Sequence, residues 1–378
     1  MPLDQSKFPK AKKNLLSREE VKALIKGKGN TRPAQCITPV LYLPSEQPFR
    51  QKDMELIIEE YPDDAVFFEY TRPKNFGKPG DRYVWCDVAN ADPLLHKKED
   101  EIGIDEKTAL EWEVIEQISP DVPDPYFPEC LVQDYFEDDG RYRGIFWTRL
   151  SFERLWHFRG MTNTLMDFYT NPDEVKALLL KLRNIIFKVI DRSVDEYHFD
   201  AIAFTDDIGM QDRPFFSEDI FLEFIKPHYK EVIDYAHSKG MDVWLHTCGN
   251  IEPFIPHMIE IGLDVLHPIQ KYSMDEEKII EQYRDQICFW AGMEVQRILP
   301  FGSPDDVRQE MRFLIDTFYL PNKGRLVLSS GNRFRHDIPT ENIRAFFEEL
   351  YAYGSTVEKH GVGKHESPSK GHTVLPDR

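Results

Sequence analysis

Between about residue 200 and residue 353, short apolar segments alternate with longer amphipathic segments, and this alternation limits the folds open to the chain. The short segments are apolar on both faces, as strands buried between two layers of helices are. The strand–helix pair occurs five times in succession. Such a repeat predicts a parallel sheet with right-handed crossovers. An open doubly wound sheet and a closed barrel both fit the pattern.

The length of the chain, 378 residues, favours a single (β/α)8 barrel of the TIM type. No phosphate-binding motif of the form GxGxxG or GxxxxGK[ST] follows any predicted strand. We therefore predict an α/β chain with a barrel over residues 31–354. An N-terminal arm and helix occupy residues 1–30, and a flexible tail occupies residues 355–378. Ser17 and Glu20 can form a capping box, which predicts that the N-terminal helix spans residues 18–25.

The remaining elements follow from apolar spacing and from helix-capping residues such as Ser217 and Ser303. Strands are predicted at residues 64–70, 82–88, 144–148, 201–205, 242–245, 264–266, 287–290 and 326–328. Helices are predicted at residues 217–237, 251–261, 274–283, 304–318 and 339–353. The acidic segment 99–128 is predicted to be an inserted loop with one helix.

Charge and composition exclude several functional classes. A net charge of −19 argues against binding to nucleic acids or to anionic membrane surfaces. No apolar stretch approaches the ~20 residues that span a bilayer, and residues 1–13 lack the apolar segment of a secretory signal. The five cysteines are odd in number and widely spread, which is typical of reduced thiols in a cytoplasmic protein. We therefore expect a cytoplasmic protein that acts on a small molecule.

Five consecutive predicted strands end in polar residues. In a (β/α)8 barrel the catalytic residues lie at the carboxyl ends of the strands. We therefore expect a common site at this end of the barrel. The residues at these positions are Asp206, Asp207, His246, Cys248, His267, Gln270, Glu294, Gln296, Ser329, Ser330 and Asn332.

His246 and Cys248 are the best candidates for metal ligands. They are two residues apart on an extended segment, so their side chains point to the same side, and both residue types bind zinc. A simpler interpretation is that they only pack and form hydrogen bonds. A catalytic zinc site usually has three protein ligands and one open position. The third ligand could come from Asp206, Asp207, Glu294 or His336.

Asp206, Asp207 and Glu294 are the candidate catalytic residues. The side chains of adjacent strand residues diverge, so we expect one aspartate to face the site and the other to cap the next turn. The sequence leaves open which one does so. Glu294 is a candidate ligand or general acid. The candidate substrate-binding residues share a position at or just beyond a strand end: Gln211, His267, Gln270, Gln296, Arg333 and Arg335.

Several segments resemble the uroporphyrinogen decarboxylase superfamily, whose fold is a single (β/α)8 barrel. The resemblance covers about residues 135–354 and is weak in the residues before them. It is carried by residues 152–156, 159–161, 206–211, 246–250, 266–270, 299–304 and 338–342. The decarboxylases of this superfamily have an N-terminal Arg-Gln-Ala-Gly-Arg segment, whereas residues 39–49 contain no arginine. The chain is therefore more similar to the second branch, the cobalamin-dependent methyltransferases.

The methyltransferase branch holds zinc with a His-x-Cys pair and a third cysteine after the last strand. His246 and Cys248 match the pair, but Asn332 stands at the third position, and asparagine is a poor zinc ligand. The resemblance implies that zinc acts as a Lewis acid while a methyl group moves between a small substrate and a corrinoid. The substrate would be a thiol, a methyl ether or an amine. The chain has no Asp-x-His-x-x-Gly cobalamin motif, so the corrinoid would be carried by a separate protein.

Two other functions fit the sequence. A metal-independent, decarboxylase-like lyase could use Asp206 or Asp207 as proton donor while Arg333 and Arg335 hold substrate carboxylates. Alternatively, a barrel that has lost a zinc ligand at Asn332 could bind a corrinoid protein without catalysis. The sequence does not predict the oligomeric state.

Overall fold

Eight parallel strands form one sheet in the order β1-β8-β7-β6-β5-β4-β3-β2. The computed structural model describes residues 15–29, 32–37, 48–70, 111–113, 115, 132 and 137–357. The backbone amide of Asp64, just before β2, donates a hydrogen bond to the carbonyl of Gln35 in β1 (2.9 Å). The two ends of the sheet therefore meet, and the strands form a nearly closed (β/α)8 barrel. This confirms the predicted fold class and excludes the open sheet.

The strands are β1 (Ala34–Gln35), β2 (Ala65–Glu69), β3 (Tyr142–Trp147), β4 (Ala201–Thr205), β5 (Asp242–His246), β6 (Val265–His267), β7 (Cys288–Met293) and β8 (Leu326–Ser330). The helices are α1 (Arg18–Ile25), α2 (Gln51–Glu60), α3 (Phe152–Arg159), α4 (Met161–Thr170), α5 (Pro172–Asp195), α6 (Glu218–Ile220), α7 (Lys226–Ser238), α8 (Ile255–Glu260), α9 (Glu276–Tyr283), α10 (Ile298–Phe301), α11 (Pro304–Phe318) and α12 (Thr340–Gly354).

All five predicted strand–helix pairs after residue 200 are present. The capping box of Ser17 and Glu20 begins α1, and Ser303 caps α11, as their sequences predict; Ser303 also forms a capping box with Asp306. The predicted helix at 217–237 is divided by a π-helical turn at Phe221–Ile225. The predicted strand at 82–88, the residues before 15 and those after 357 lie outside the described residues, as does most of segment 99–128. The domain boundaries at residues 31 and 354 stay a prediction.

The interior of the barrel is filled by side chains of alternating size. Trp244 and Trp290 lie edge to face with their ring centroids 5.3 Å apart, and Phe67 contacts both rings. Small residues such as Ala201 and Ala203 face them from β4 in the same apolar cluster. This packing fills the interior of the barrel below the carboxyl ends of the strands, as in other TIM-type barrels.

Helix α1 closes the opposite end of the barrel. Val21 and Leu24 are completely buried and belong to the interior cluster. Lys26, which follows α1, forms ion pairs with Asp242 (2.7 Å) and Asp264 (2.6 Å) near the amino ends of β5 and β6. The site predicted from the strand ends must therefore lie at the other end. Among the described residues, no helix is both long enough and apolar enough to cross a membrane.

Candidate metal centre

Asp207, His246 and Cys248 converge where β4 and β5 end. One ligand atom from each lies within 4.8 Å of the other two. His246 Nε2 is 3.4 Å from Cys248 Sγ and 3.7 Å from Asp207 Oδ1. Among the candidates considered for a third ligand, the described residues therefore bring Asp207 to the His-x-Cys pair.

Strand alternation separates Asp206 from Asp207. Ala201 and Ala203 face the barrel interior, whereas Ile202 and Phe204 pack against the helices. Asp207 continues the interior series and Asp206 the exterior one. The carboxylate of Asp206 is completely buried and accepts hydrogen bonds from Ser151 Oγ, the amides at the start of α3 and Tyr229 Oη. Asp206 therefore caps α3, and Asp207 faces the site.

Two glycines hold the loops that carry Asp207 and Cys248 against each other. Gly249 has φ +84°, and a Cβ atom there would lie 2.3 Å from the carbonyl of Gly209. The amide of Cys248 donates to Asp207 Oδ1 (2.7 Å), and the amide of Asn250 donates to the carbonyl of Met210 (2.6 Å). The relative positions of the carboxylate and the thiol are thus set by the backbone before any ion binds.

A second histidine determines which nitrogen of His246 carries a proton. His267 lies next to His246 in the parallel register of β5 and β6. Its Nε2 is 3.1 Å from the carbonyl of Ser330, which can only accept, so Nε2 carries hydrogen. Burial, together with the neighbouring His246, lowers the pKa of His267 well below the usual histidine value, so the ring is neutral and its Nδ1 is an acceptor.

His267 Nδ1 is 2.6 Å from His246 Nδ1, so His246 must donate this hydrogen bond. His246 then has an unprotonated Nε2 that points at Cys248 and Asp207. Burial also lowers the pKa of His246, which favours the neutral ring. This is the tautomer that a histidine needs for binding a metal through Nε2. His267 was expected to bind substrate. It is completely buried and contacts His246 through Nδ1, on the side of the ring away from Cys248 and Asp207.

The environment of Cys248 disfavours a free thiolate. Burial raises the pKa of the thiol well above its usual value, and the carboxylate of Asp207 raises it further. Among the described residues, no lysine or arginine forms an ion pair with Asp207. A divalent cation bound here would stabilise both groups in their anionic forms. The nitrogen, sulfur and oxygen donors are also the ligand types that zinc binds, so the residues fit a zinc ion.

Asn332 lies beside Cys248. Its Nδ2 is 3.8 Å from Cys248 Sγ, and its Oδ1 accepts a hydrogen bond from the amide of Arg333 (2.8 Å). The amide group therefore presents a hydrogen-bond donor to the sulfur, where the family resemblance places a third ligand.

A cavity of about 230 Å³ opens next to Cys248 and Asn332. Of the predicted site residues, Gln270, Glu294 and Gln296 also line it. Gln270 accepts a hydrogen bond from the amide of Gly249 (2.8 Å) and reaches Gln211 at 3.5 Å. The structure thus brings together the metal-ligand candidates and most of the predicted substrate-binding amides.

The candidates after β8 are placed differently. Arg333, Arg335 and His336 are exposed and are not among the residues that line the cavity. Arg335 Nε is 3.7 Å from Asp337 Oδ1. The structure therefore does not bring them into the cavity with the other candidates.

Glu153 was not predicted as a site residue. It follows β3 in the first turn of α3, and Thr205 Oγ1 donates a hydrogen bond to its carboxylate (2.9 Å). Burial, with the charges of Asp207 and Asp206, raises its pKa to about 7. Such a group can exchange protons near neutral pH. Its position after the end of β3 was the available signal in the sequence.

Comparisons with known proteins agree with this architecture. The sequence model of the family "Uroporphyrinogen decarboxylase (URO-D)" matches residues 157–353, more than half of the chain. A methyltransferase from Methanosarcina mazei superimposes with a TM-score of 0.52 at 14% identity and covers 89% of this chain and 98% of its own. At this identity the likeness shows the fold.

Two xylanases are more distant. A psychrophilic glycoside hydrolase family 10 endo-β-1,4-xylanase has a TM-score of 0.40 at 9% identity and covers 87% of this chain and 98% of its own. Xylanase B from Clostridium stercorarium F9 has a TM-score of 0.34 at 11% identity and covers 63% and 84%. A search of curated protein sequences gave no significant match.

Proposed function

The chain belongs to the uroporphyrinogen decarboxylase family, and on that basis we propose that it is a zinc-assisted methyltransferase that acts with a separate corrinoid protein. It would move a methyl group between a small substrate and the corrinoid. The fold it shares with a methyltransferase from Methanosarcina mazei is consistent with this branch of the family.

The observation that carries the proposal is the convergence of Asp207, His246 and Cys248 within 4.8 Å at the mouth of the barrel. The carboxylate of Asp207 is a suitable zinc ligand and would take the place of the third thiolate, so Asn332 need not bind the ion. His246 already has the tautomer required, because His267 accepts its Nδ1 hydrogen. A cavity for a small molecule adjoins Cys248.

When bound, zinc would act as a Lewis acid towards a thiol or towards the heteroatom that leaves a methyl donor. The residues of the chain would do the rest. Asp207, His246 and Cys248 would hold the ion, and His267 would orient His246. Gln270 and Gln296 would place the substrate, and the packed interior below them would limit access of water from within the barrel.

The lyase alternative has less support in this structure. Of its two proton-donor candidates, Asp206 is occupied by four hydrogen bonds to the start of α3 and to Tyr229, which leaves Asp207. Its carboxylate-binding candidates, Arg333 and Arg335, are absent from the cavity lining. No observation favours a barrel that only binds a corrinoid protein.

Methyl transfer from methylcobalamin to 2-mercaptoethanol, followed by the absorbance of the corrinoid, tests the proposal. We expect protein-dependent transfer that is lost in D207A and C248A. It should be kept in D212A, which removes an exposed acid of the same loop that pairs with Arg213. Transfer that survives D207A and C248A, or turnover of uroporphyrinogen without methyl transfer, would contradict the proposal.

A further inference from the structure

The cavity beside Cys248 is small, and three residues with side-chain amides line it. Its volume of about 230 Å³ is below the range of most ligand pockets, so it suits a molecule of few heavy atoms. The amides belong to Gln270, Gln296 and Asn332. Apolar contacts come from Pro268, Met293 and Val295.

Among the described residues that line the cavity, two are charged, and both make their charged contacts with other protein groups. The carboxylate of Glu294 accepts hydrogen bonds from the amides of Gln296, Arg297 (2.8 Å) and Ile298 (2.6 Å). Lys271 forms ion pairs with Glu276 (3.0 Å) and Glu310 and lies 4.4 Å from the ring centre of Phe313. The ammonium group is therefore committed to two carboxylates.

The described charged residues of the cavity lining, together with their ion-pair partners, carry more negative than positive charge. Lys271 is paired with Glu310 and with Glu276, whose pKa burial raises to about 7, and Glu294 is a further acid in the lining. Arg297 and Arg333, the nearest arginines in sequence, do not line the cavity, and Arg297 lies 4.4 Å from the ring centre of Tyr272. An anion that entered would lose water without gaining a free cationic partner from the lining residues that the structure describes, because Lys271 is already paired with carboxylates. Nearby acids would also repel it.

One amide is available for a substrate. Gln270 Oε1 and Asn332 Oδ1 already accept hydrogen bonds from backbone amides. The exposed side chain of Gln296 forms no hydrogen bond with any residue that the structure describes. It can both donate to and accept from a small polar molecule.

We propose that this cavity admits small molecules without negative charge, held by side-chain amides, and rejects anions. The substrate would then be an uncharged or cationic thiol, ether, thioether or amine, and carboxylates, sulfonates and phosphates would be excluded. The identification of this molecule as the methyl donor or acceptor rests on the proposed function. The charge selectivity of the cavity does not, and it can be measured without metal or turnover.

The experiment uses the thiol of Cys248 as a probe in the full-length, metal-free protein. Three methanethiosulfonates of similar size carry a 2-hydroxyethyl, a 2-aminoethyl or a 2-sulfonatoethyl group. In each reaction the thiolate attacks the sulfenyl sulfur, a mixed disulfide forms and methanesulfinate leaves. The thiolate fraction is the same for all three reagents. Rates at Cys248 are measured by peptide mass spectrometry and divided by the rates with free 2-mercaptoethanol.

We expect the hydroxyethyl reagent to react on the order of tenfold faster than the sulfonatoethyl reagent, with the difference reduced at high salt. The aminoethyl reagent should be at least as fast as the hydroxyethyl reagent. If both charged reagents are slow, the cavity disfavours charge of either sign because of the cost of desolvation, and the proposal fails. Equal normalised rates for the neutral and anionic reagents would also overturn it.

Variants test whether the charge preference arises from the cavity lining or from the metal ligands. D207N removes the acid next to Cys248. The faster reaction of the hydroxyethyl reagent than of the sulfonatoethyl reagent should persist in this variant, and loss of that difference would overturn the proposal. Q296K should accelerate the sulfonatoethyl reagent several-fold by placing a cation in the lining. Q282K makes the same change on the exposed face of α9 and should leave all rates unaltered. An unchanged sulfonatoethyl rate in Q296K would count against the electrostatic origin of the selectivity.

Discussion

Asp206 and Asp207 are adjacent residues with opposite surroundings. The first lies on the helix-facing side of the barrel and is buried among hydrogen-bond donors. The second faces the barrel mouth beside His246 and Cys248. A single step along an extended chain reverses the direction of the side chain, so one aspartate serves the fold and the other the site.

Substitution should separate the two roles. D206N removes a charged acceptor of several buried hydrogen bonds, so we expect the free energy of unfolding to fall by about 2 kcal/mol. D207N should leave the stability of the metal-free protein nearly unchanged and weaken zinc binding. Urea denaturation of the metal-free proteins and a chelator competition titration measure the two effects. The reverse pattern would show that the roles are exchanged.

His267 should act through His246. Replacing it by phenylalanine removes the acceptor of the His246 Nδ1 hydrogen, so we expect zinc affinity to fall by about 10–100-fold. H267N can still offer a hydrogen-bond acceptor to His246 Nδ1, so its zinc affinity should fall by less. H257Q, a change on α8, serves as the control for general effects of losing a histidine. Zinc affinity of H267F equal to that of the wild type in a chelator competition would refute this role.

The sequence predicts the His246–Cys248 pair because residues two apart on a strand share a face. It does not choose between Asp206 and Asp207, since the face that each occupies depends on which side of β4 the barrel closes. The small residues Ala201 and Ala203 mark that side in the structure, because Trp244 and Trp290 fill the space opposite them. Glu153 was missed because its proximity to Asp207 depends on how β3 and β4 pair.

Among the elements, the loops after β4 and β5 determine the geometry of the site. Gly249 allows their backbones to touch. G249A would combine strain at φ +84° with a clash against Gly209, so we expect it to weaken zinc binding as well as stability. G240A is a matched control, since Gly240 has φ +81° but nothing within 4 Å of a Cβ atom.

Both glycine variants should lose about 1 kcal/mol of stability from backbone strain. The further loss in G249A, and the loss of zinc affinity, should be absent in G240A. Urea denaturation and chelator competition compare the two proteins. Equal stability and equal zinc affinity would mean that the contact between Gly209 and Gly249 does not position the ligands.

Elements with strong local signals were predicted well. Strand β4 occupies the predicted residues 201–205, and the predicted N-caps Ser17 and Ser303 begin the expected helices. The two-residue strand β1 is too short to show alternation, and long-range pairing with β8 defines it. Helix α5 was not predicted, although Pro172 at its start and its apolar spacing were visible in the sequence.

At the scale of the whole molecule, the two ends of the barrel are organised differently. The amino-terminal end is closed by α1 and by ion pairs with acids that precede or begin strands. Asp264 also accepts a hydrogen bond from His237 Nε2 (2.7 Å), which raises the pKa of His237 above its usual value. This end therefore contributes pH-dependent stability, and the other end carries the proposed metal centre.

The sign of that dependence follows from the raised pKa. The folded state holds the proton of His237 more tightly than the unfolded state, so the contribution is complete below about pH 6.5 and is lost as pH rises through the folded pKa. H237Q should therefore be less stable than the wild type at about pH 5.5 and approach it at higher pH. Urea denaturation across this range tests the trend.

H336Q, at the exposed loop after β8, is the control and should show no such convergence. A constant difference between H237Q and the wild type across the pH range would indicate that His237 contributes by packing rather than through its charge.

The most direct test of the metal centre is the zinc content of the purified wild type and of D207N, C248S and N332A. We predict about one zinc ion per wild-type chain, loss of the ion in D207N and C248S, and retention in N332A, because Asp207 completes the ligand set. A wild-type protein without zinc, or an N332A variant that loses zinc while D207N keeps it, would contradict the account.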